Sequence, residues 1–178
     1  MTSGELSAQA DVEVTRAASH ERPILENLFQ LYVHDFSELW SDQARGELDA
    51  QGLFERYDWD PYWSDDTHLP MLVRRAGHLV GFVLLNRESH FDRDVDWNVA
   101  QLFVVRKHRS AGVGRSVMSI LFDRHPGAWE TVIARRNTRG IAFWRGLLTT
   151  HPCVRDLHER DLSPPAWNGP AFRYRVSG

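Results

Sequence analysis

A short glycine-containing string has the residue types of an anion-binding loop. It reads Arg109-Ser110-Ala111-Gly112-Val113-Gly114, and Arg115 follows it. Glycine allows the backbone to approach a ligand closely. The N–H groups at the start of a helix have no partner within the helix and present partial positive charge, so they bind groups such as a diphosphate. The string therefore predicts an anion site, provided that a helix begins within it.

Two other glycine-rich anion loops do not fit this spacing. A Rossmann loop, GxGxxG, needs a third glycine where Val117 stands, and a P-loop, GxxxxGK[ST], needs a lysine directly after its last glycine, where Arg115 stands. A tight strand-to-helix turn without any ligand stays open as an alternative, because glycine also serves such turns.

The charges around the string favour the anion site. One basic run consists of Arg106, Lys107, Arg109 and Arg115, and four arginines between Arg135 and Arg145 form a second. By contrast, the stretch from Asp35 to Asp66 holds ten acidic residues against two arginines. A solvated surface explains any one of these runs, but two basic runs on either side of one loop indicate a ligand.

The elements that must position this loop follow from the apolar pattern. Val99 to Val105 is a nearly uninterrupted apolar run, typical of a strand buried on both faces. After the glycines, apolar residues recur at helical spacing until His125-Pro126-Gly127. Thr131 to Ala134 predicts the next strand, and Asn137 or Thr138 can cap the helix that follows it and ends before Pro152.

The remaining elements extend the same sheet. Val12 to Arg16 predicts a first strand, and Pro23 opens an amphipathic helix that reaches Trp40. Ser41 to Leu69 is irregular, acidic and aromatic, and we expect short helices and loops there. Further strands are expected at Met71 to Arg75, Leu79 to Asn86, Val154 to His158 and Phe172 to Val176, with Ala76-Gly77-His78 as a hairpin turn.

Composition limits the class of protein. The 178 residues, with 42% hydrophobic and 25% charged, predict one globular domain over residues 1–178 with a flexible segment at residues 1–11. No apolar stretch is long enough for a membrane span, and the N-terminus lacks a signal peptide, so we expect a cytoplasmic protein. Cys153 is the only cysteine, and the nine histidines show no ligand spacing, so we expect no disulfide and no metal.

The string and the segment after it resemble the acyl-CoA loop of the GNAT superfamily of N-acetyltransferases. Leu102-Phe103-Val104 precedes Arg109-x-x-Gly112-x-Gly114 at the family's spacing. A second family pattern places an Asn at the end of the next strand, followed by small and aromatic residues at offsets of three, six and seven. Here those positions hold Asn137, Gly140, Phe143 and Trp144. The helix end from His34 to Glu38 is similar to that of bacterial members with an unassigned acceptor.

The resemblance implies a fold, an activity and a site. The fold is α/β (α+β): one GNAT-like domain with a central, twisted, mixed β-sheet flanked by helices. The activity is transfer of an acyl group, expected to be acetyl, from acetyl-CoA to a small-molecule primary amine by direct attack in a ternary complex. A bulge in the strand before the loop would let Phe103 and Val104 hold the pantetheine arm and the thioester carbonyl. The residues expected to bind acetyl-CoA are Leu102, Phe103, Val104, Arg109, Ser110, Ala111, Gly112, Val113, Gly114, Arg115, Asn137, Phe143 and Trp144.

Two departures from the family pattern concern proton transfer. Trp144 stands where many members have a tyrosine acid, and indole cannot donate a proton in that way. Gln101 stands where similar sequences often have an acidic residue, and it can position a water but cannot accept a proton at neutral pH. Asp96, His34 and Asp35 are the candidates for the base or its water relay, each with an ordinary structural role as the alternative. These departures also leave open a non-catalytic acyl-CoA-binding domain, and a nucleotide-binding protein of another class is a further rival.

The acceptor side is expected in the acidic and aromatic stretch from Asp35 to Asp66. Its carboxylates would attract a cationic amine, and its aromatic faces would hold the carbon frame. The alternative is that the aromatic residues fill the core and the acids only face solvent. We expect no nucleic-acid or membrane partner, and the oligomeric state stays open, with a homodimer as one option.

Overall fold

Seven strands form one mixed sheet in the order β1-β2-β3-β4-β5-β7-β6. The structure is a computed structural model, and it describes residues 11–40, 45–91 and 94–177. Of residues 1–11, for which flexibility was predicted, residues 1–10 lie outside this part. The strands are β1 (Val12–Arg16), β2 (Leu69–Arg75), β3 (His78–Asn86), β4 (Trp97–Val104), β5 (Gly127–Val132), β6 (Val154–Leu162) and β7 (Gly169–Val176). The mixed sheet that the sequence predicted is confirmed.

Neighbouring strands are antiparallel except β4 and β5, which run parallel. A two-residue turn joins β2 to β3. Its residues, Ala76 and Gly77, both have positive φ, 48° and 76°, as a type I′ hairpin turn requires. The predicted hairpin is confirmed, with His78 already paired to Arg75 in the sheet.

In the described part of the chain, four α-helices cover the two faces of the sheet. They are α1 (Arg22–Ser37), α2 (Pro61–Ser64), α3 (Val113–Arg124) and α4 (Thr138–Thr150). In α1, Leu25, Leu28 and Phe29 pack with Leu72 and Phe82 of the sheet in one core. The helices α3 and α4 bury apolar residues on the opposite face in a second core, which includes Val117, Leu121, Trp129, Trp144, Leu147 and Tyr174. Among the described helices, none is long and apolar enough to cross a membrane.

Two predicted strands differ from the observed elements. The stretch from Ser41 to Leu69, where short helices and loops were expected, contains one helix of four residues, α2, and otherwise loop over residues 45–68, and Leu69 begins β2. The strand predicted at Thr131 to Ala134 lies earlier, as β5. The strand predicted at Val154 to His158 continues to Leu162, because β6 is an edge strand whose mostly exposed side chains show no apolar alternation.

The feature that creates a site is the separation of β4 from β5. These two parallel strands pair only at Trp97↔Trp129 and Asn98↔Glu130. On its other side, β4 stays paired with β3 as far as Val104. The register between β3 and β4 shifts by one residue, so that Ala100 is an extra residue on β4. This irregularity is the bulge that the family resemblance implied. Beyond this bulge the two strands diverge and leave a wedge-shaped opening.

Candidate functional site

Backbone polar groups of β4 face the wedge. The N–H of Val105 donates to the carbonyl of Val80 on β3, at 2.9 Å. Successive residues of a strand direct their backbone groups to opposite sides. The backbone groups of Leu102 and Val104 therefore point away from β3, toward the wedge. The carbonyl of Val104 accepts a hydrogen bond from Arg109 Nε at 2.6 Å. The geometry therefore offers the groups of Val104, as expected, together with those of Leu102, whereas the backbone of Phe103 is directed toward β3.

The loop after β4 ends in a helix N-terminus that opens into the same space. Gly112 is the N-cap residue of α3 with φ 78°, and no side chain caps this helix. The N–H groups of Val113, Gly114 and Arg115 therefore have no partner within the helix. A Cβ on Gly112 would meet nothing within 4 Å. The surroundings of Gly112 are open, so they fit a large anionic ligand that touches the backbone.

The second glycine of the loop serves a different purpose. A Cβ on Gly114 would lie 3.1 Å from Cζ of Phe143 on α4. This glycine therefore permits α3 and α4 to pack closely, which brings the segment from Asn137 to Phe143 to the edge of the loop. The sequence predicts that both glycines allow a close approach of the ligand, and the structure gives Gly114 a packing function in addition.

A cleft of about 1180 Å³ joins the wedge to the loop. Its lining includes every predicted acetyl-CoA-binding residue except Ala111. Arginines dominate its charge: Arg106, Arg109, Arg115, Arg136 and Arg139 line it, against two acids, Asp35 and Glu38. The two basic runs of the sequence thus meet in one place. Of the second run, only Arg135 and Arg145 lie elsewhere, in ion pairs with Asp161 and Glu159.

Asp35 is the central anion of this cleft. Its carboxylate binds Arg106 Nε at 2.8 Å and also the guanidinium of Arg109. Burial tends to raise the pKa of Asp35, but the hydrogen bonds and charges of Arg109 and Arg106 outweigh it and hold the pKa below its usual value. Asp35 is therefore a poor proton acceptor. Together with Glu38, it lines the same cleft as the loop from Arg109 to Gly114 and does not form a surface apart from that loop.

Two residues of the second family pattern have clear structural roles. The side chain of Asn137 accepts a hydrogen bond from the N–H of Gly140 at 2.9 Å and so caps α4. Trp144 is 6% exposed and packs edge-on against Phe143 at 5.4 Å between ring centroids. Both residues also line the cleft. They shape its wall, and Trp144 contributes apolar surface to it.

The other candidate catalytic residues are dispersed. The His34 side chain is 68% exposed, with Nδ1 3.7 Å from Asp35 Oδ1. Asp96 precedes β4, eight residues from Val104 and thus roughly 25 Å away along an extended chain. Its carboxylate accepts the N–H of Ala128 at 2.8 Å. Of the four candidates, the structure brings only His34 and Asp35 together.

Gln101 lies on the face of β4 that α1 covers. Its side chain lies near the hydroxyl of Tyr32, and burial raises the pKa of that hydroxyl above its usual value. Neither group can accept a proton at neutral pH. They form a polar, uncharged pair at the side of β4 opposite to α3 and α4.

The arrangement can hold an elongated anionic molecule. A diphosphate would lie on the helix N-terminus, and an uncharged polar arm would fit along Leu102 and Val104 in the wedge. Within the described part of the chain, no group of three or more His, Cys, Asp or Glu side chains could hold a metal ion.

Comparisons with known proteins agree with this geometry. The sequence matches the family described as the acetyltransferase (GNAT) family over residues 25–147. An acetyltransferase from Thermus thermophilus has a TM-score of 0.64 at 13% identity, with 94% of this chain and 97% of that chain covered. Among curated proteins, none matches the sequence.

Two further solved structures share the fold. The spermidine/spermine N-acetyltransferase SpeG from Vibrio cholerae has a TM-score of 0.53 at 11% identity, covering 95% of this chain and 94% of that one. The protein yncA from Salmonella typhimurium, solved with its cofactor acetyl-CoA, has a TM-score of 0.53 at 13% identity, covering 93% and 92%. At these identities the likeness shows the fold alone.

Proposed function

This chain belongs to the acetyltransferase (GNAT) family, and on that premise we propose that it transfers an acetyl group from acetyl-CoA to a small-molecule primary amine. The amine attacks the thioester directly while both substrates are bound. Acetyl-CoA supplies the activated acyl group. The protein holds the two reactants in position and provides groups that transfer the protons.

The observation that supports this proposal most strongly is the joining of the wedge to the uncapped helix N-terminus. Gly112 and the free N–H groups after it suit a diphosphate, and five cleft arginines complement its charge. The separation of β4 from β5 beyond Asn98↔Glu130 gives the pantetheine arm a route through the sheet. A thioester in the wedge would be accessible from the face that α1 covers.

The amine would approach from that α1 face. Tyr32 and Gln101 offer hydrogen-bonding groups there, and aromatic residues of the loop before β2 belong to the same core as Tyr32. Trp59 and Tyr62 are buried in the core that α1 forms with the sheet, and Tyr57 lies against it. The neighbour SpeG acts on spermidine and spermine, which makes a polyamine a natural first acceptor to test.

The test is a CoA-release assay with acetyl-CoA and a panel of primary amines: polyamines, amino sugars, and peptides with a free N-terminus or lysine. Mass spectrometry of the amine confirms transfer, and calorimetry compares the binding of acetyl-CoA with that of ATP. We expect acetyl-CoA to bind and at least one amine to be acetylated. Tight ATP binding without acetyl-CoA binding would contradict the proposal.

A second function is favoured by one specific observation. On the α1 face of β4, Asn98, Gln101 and Phe103 include no group that titrates near neutral pH. This composition suits a domain that binds acyl-CoA and regulates a partner without transferring the acyl group. Binding of acetyl-CoA without turnover of any amine in the panel would support this alternative.

Replacement of Trp144 by phenylalanine tests its assignment as a packing residue. The smaller ring leaves a gap beside Phe143, so we expect the free energy of unfolding to fall by about 1–2 kcal/mol. Turnover should fall less than tenfold, with an unchanged dependence on pH. Urea unfolding and the CoA-release assay measure the two quantities. A loss of turnover by several orders of magnitude at unchanged stability would show that the indole takes part in the reaction.

The arginine-rich cleft predicts a salt-dependent affinity for acetyl-CoA. Exposed charges are screened over about 8 Å at physiological ionic strength and over about 3 Å at 1 M. We therefore expect the Kd for acetyl-CoA to rise several-fold between about 0.05 and 0.5 M NaCl in calorimetry. Pantetheine without phosphates provides the control, and its binding should change little. An affinity for acetyl-CoA that is independent of salt would contradict the placement of the phosphates among these arginines.

A further inference from the structure

A buried carboxylate anchors the loop between β3 and β4. Glu130 of β5 is 0% exposed. It accepts hydrogen bonds from Ser89 Oγ at 2.7 Å and from the N–H of His90 at 2.6 Å. The ring of His90 also contacts it, with Nδ1 3.1 Å from Glu130 Oε1. Burial disfavours the charged carboxylate, but the bonds from His90 and Ser89 lower its pKa below the usual value. An ionised Glu130 therefore holds Nδ1 of His90 as a donor.

This pair lies at the apex of the wedge. Glu130 is opposite Asn98 in the last pair that joins β5 to β4. Its neighbour Trp129 packs in the core under α3 and α4, so by the alternation of a strand Glu130 faces the other side, which α1 covers. His90, which lies on Glu130, is consequently on the face from which the amine would approach.

Two residues next to the pair, Asn98 and Trp167, each have a buried polar atom without a partner in the described part of the chain. Asn98 is 2% exposed, and its Nδ2 donates to Asn86 Oδ1 at 2.8 Å. Asn86 Oδ1 also accepts the N–H of Glu88, which fixes the orientation of both amides and leaves Asn98 Oδ1 buried without a partner in the described part of the chain. In that described part, Nε1 of Trp167 is likewise buried without a hydrogen-bond partner.

The ring of His90 completes this set. Trp167 packs against it edge-on at 5.2 Å. The side chain of His90 is 23% exposed, and its Nε2 has no hydrogen-bond partner among residues 11–40, 45–91 and 94–177. A buried acceptor on Asn98, opposite Glu130, and a buried donor on Trp167, against the ring of His90, thus flank the same pair. Buried polar groups without partners call for an explanation, and a bound ligand is one.

We propose that His90 is the base that deprotonates the amine, that Glu130 positions its ring, and that Asn98 Oδ1 accepts a hydrogen bond from the amine nitrogen. This inference rests on the proposed function. His90 Nε2 takes one proton from the ammonium group and passes it to solvent. The nitrogen lone pair then forms the carbon–nitrogen bond, the carbon–sulfur bond breaks, and the second proton from nitrogen ends on the departing sulfur.

A base at His90 explains why β4 needs no acidic residue on its α1 face. An alkyl ammonium with a pKa near 10.4 is deprotonated to only roughly one part in a thousand at neutral pH, so a base contributes most there and little at high pH. Among the described residues, the charged or titratable groups around His90 include Glu130 on β5, Arg173 opposite Glu130 on β7 and Glu88 on the same loop as His90. Burial raises the pKa values of Tyr57 and Tyr62, and the charge of Glu88 raises them further.

The test compares His90→Asn with the parent, using the amine that the panel identifies. Asparagine keeps an N–H donor near the position of Nδ1, so the bond to Glu130 and the anchored loop can persist, but it has no titrating nitrogen. We expect kcat to fall by about 100-fold or more at pH 7, with a Kd for acetyl-CoA within about twofold of the parent value. The loss should shrink as the pH rises, because the free amine becomes abundant. His78→Asn, at the exposed start of β3, is the matched control and should behave as the parent.

The outcomes separate the inference from the proposed function. An active parent with His90→Asn equally active, or reduced by a factor that does not change with pH, would overturn the role of His90 and leave the function intact. A parent that acetylates no amine would overturn both. A fold check by urea unfolding accompanies each variant, and His90→Gln provides a second replacement if His90→Asn is destabilised.

Discussion

Gly112→Val should weaken acetyl-CoA binding by about 100-fold or more, which corresponds to about 2.7 kcal/mol, while the protein stays folded. The valine side chain would project into the open space where the diphosphate is expected, since a Cβ there meets no protein atom within 4 Å. The φ of 78° adds backbone strain of about 1–2 kcal/mol. Calorimetry with acetyl-CoA measures the affinity.

Gly52→Val is the matched control for this substitution. Gly52 has φ 76° and likewise open surroundings, but it lies in the loop before β2 and does not line the cleft. Both variants should lose similar stability through the strain, and only Gly112→Val should lose affinity. If Gly112→Val binds acetyl-CoA as tightly as Gly52→Val does, the loop is a simple strand-to-helix turn.

Glu130→Ala should lower the free energy of unfolding by about 3–5 kcal/mol. The substitution leaves two N–H groups of His90 without their acceptor and removes one of the two acceptors of the Ser89 hydroxyl, which keeps the carbonyl of Phe91. Urea unfolding at pH 7 measures the loss. Glu47→Ala, at an exposed loop position, is the control and should change stability by less than about 0.5 kcal/mol.

The pH dependence of this loss follows from the lowered pKa of Glu130. The folded state binds the proton more weakly than the unfolded chain, whose glutamate pKa is about 4.3. The stabilisation is therefore fully present above that value and disappears as the pH falls through the lower pKa of the folded protein. The difference between parent and Glu130→Ala should shrink below about pH 4. A difference that is constant with pH would show that Glu130 contributes by packing alone.

The strand, loop and helix around Gly112 could be predicted from sequence because the information is local. The glycine spacing, the apolar run before it and the helical period after it all lie close together in the chain, and each has one physical interpretation. The turn at Ala76 and Gly77 and the cap at Asn137 are predictable for the same reason: backbone conformation and a side-chain hydrogen bond are set by neighbours in the chain.

Contacts between residues far apart in the chain explain which predictions from the sequence were inaccurate. Glu130 interrupts the apolar pattern of β5, so the sequence placed this strand several residues too late, and its partners Ser89 and His90 lie 41 and 40 residues away along the chain. Asp35 was interpreted as part of an acceptor surface because nothing in the sequence pairs it with Arg106 and Arg109, which follow it by 71 and 74 residues. Charges of this kind obtain their roles only from the fold.

If acetyl-CoA occupies the cleft between the diverging strands and the α3 N-terminus, a crystal structure with CoA will show the diphosphate within hydrogen-bonding distance of the N–H groups from Gly112 to Arg115. The pantetheine arm should lie between β4 and β5, along Leu102 and Val104, with the sulfur directed toward the α1 face. CoA bound at any other surface, or a wedge that stays closed with CoA absent from it, would show that this cleft is not the acetyl-CoA site.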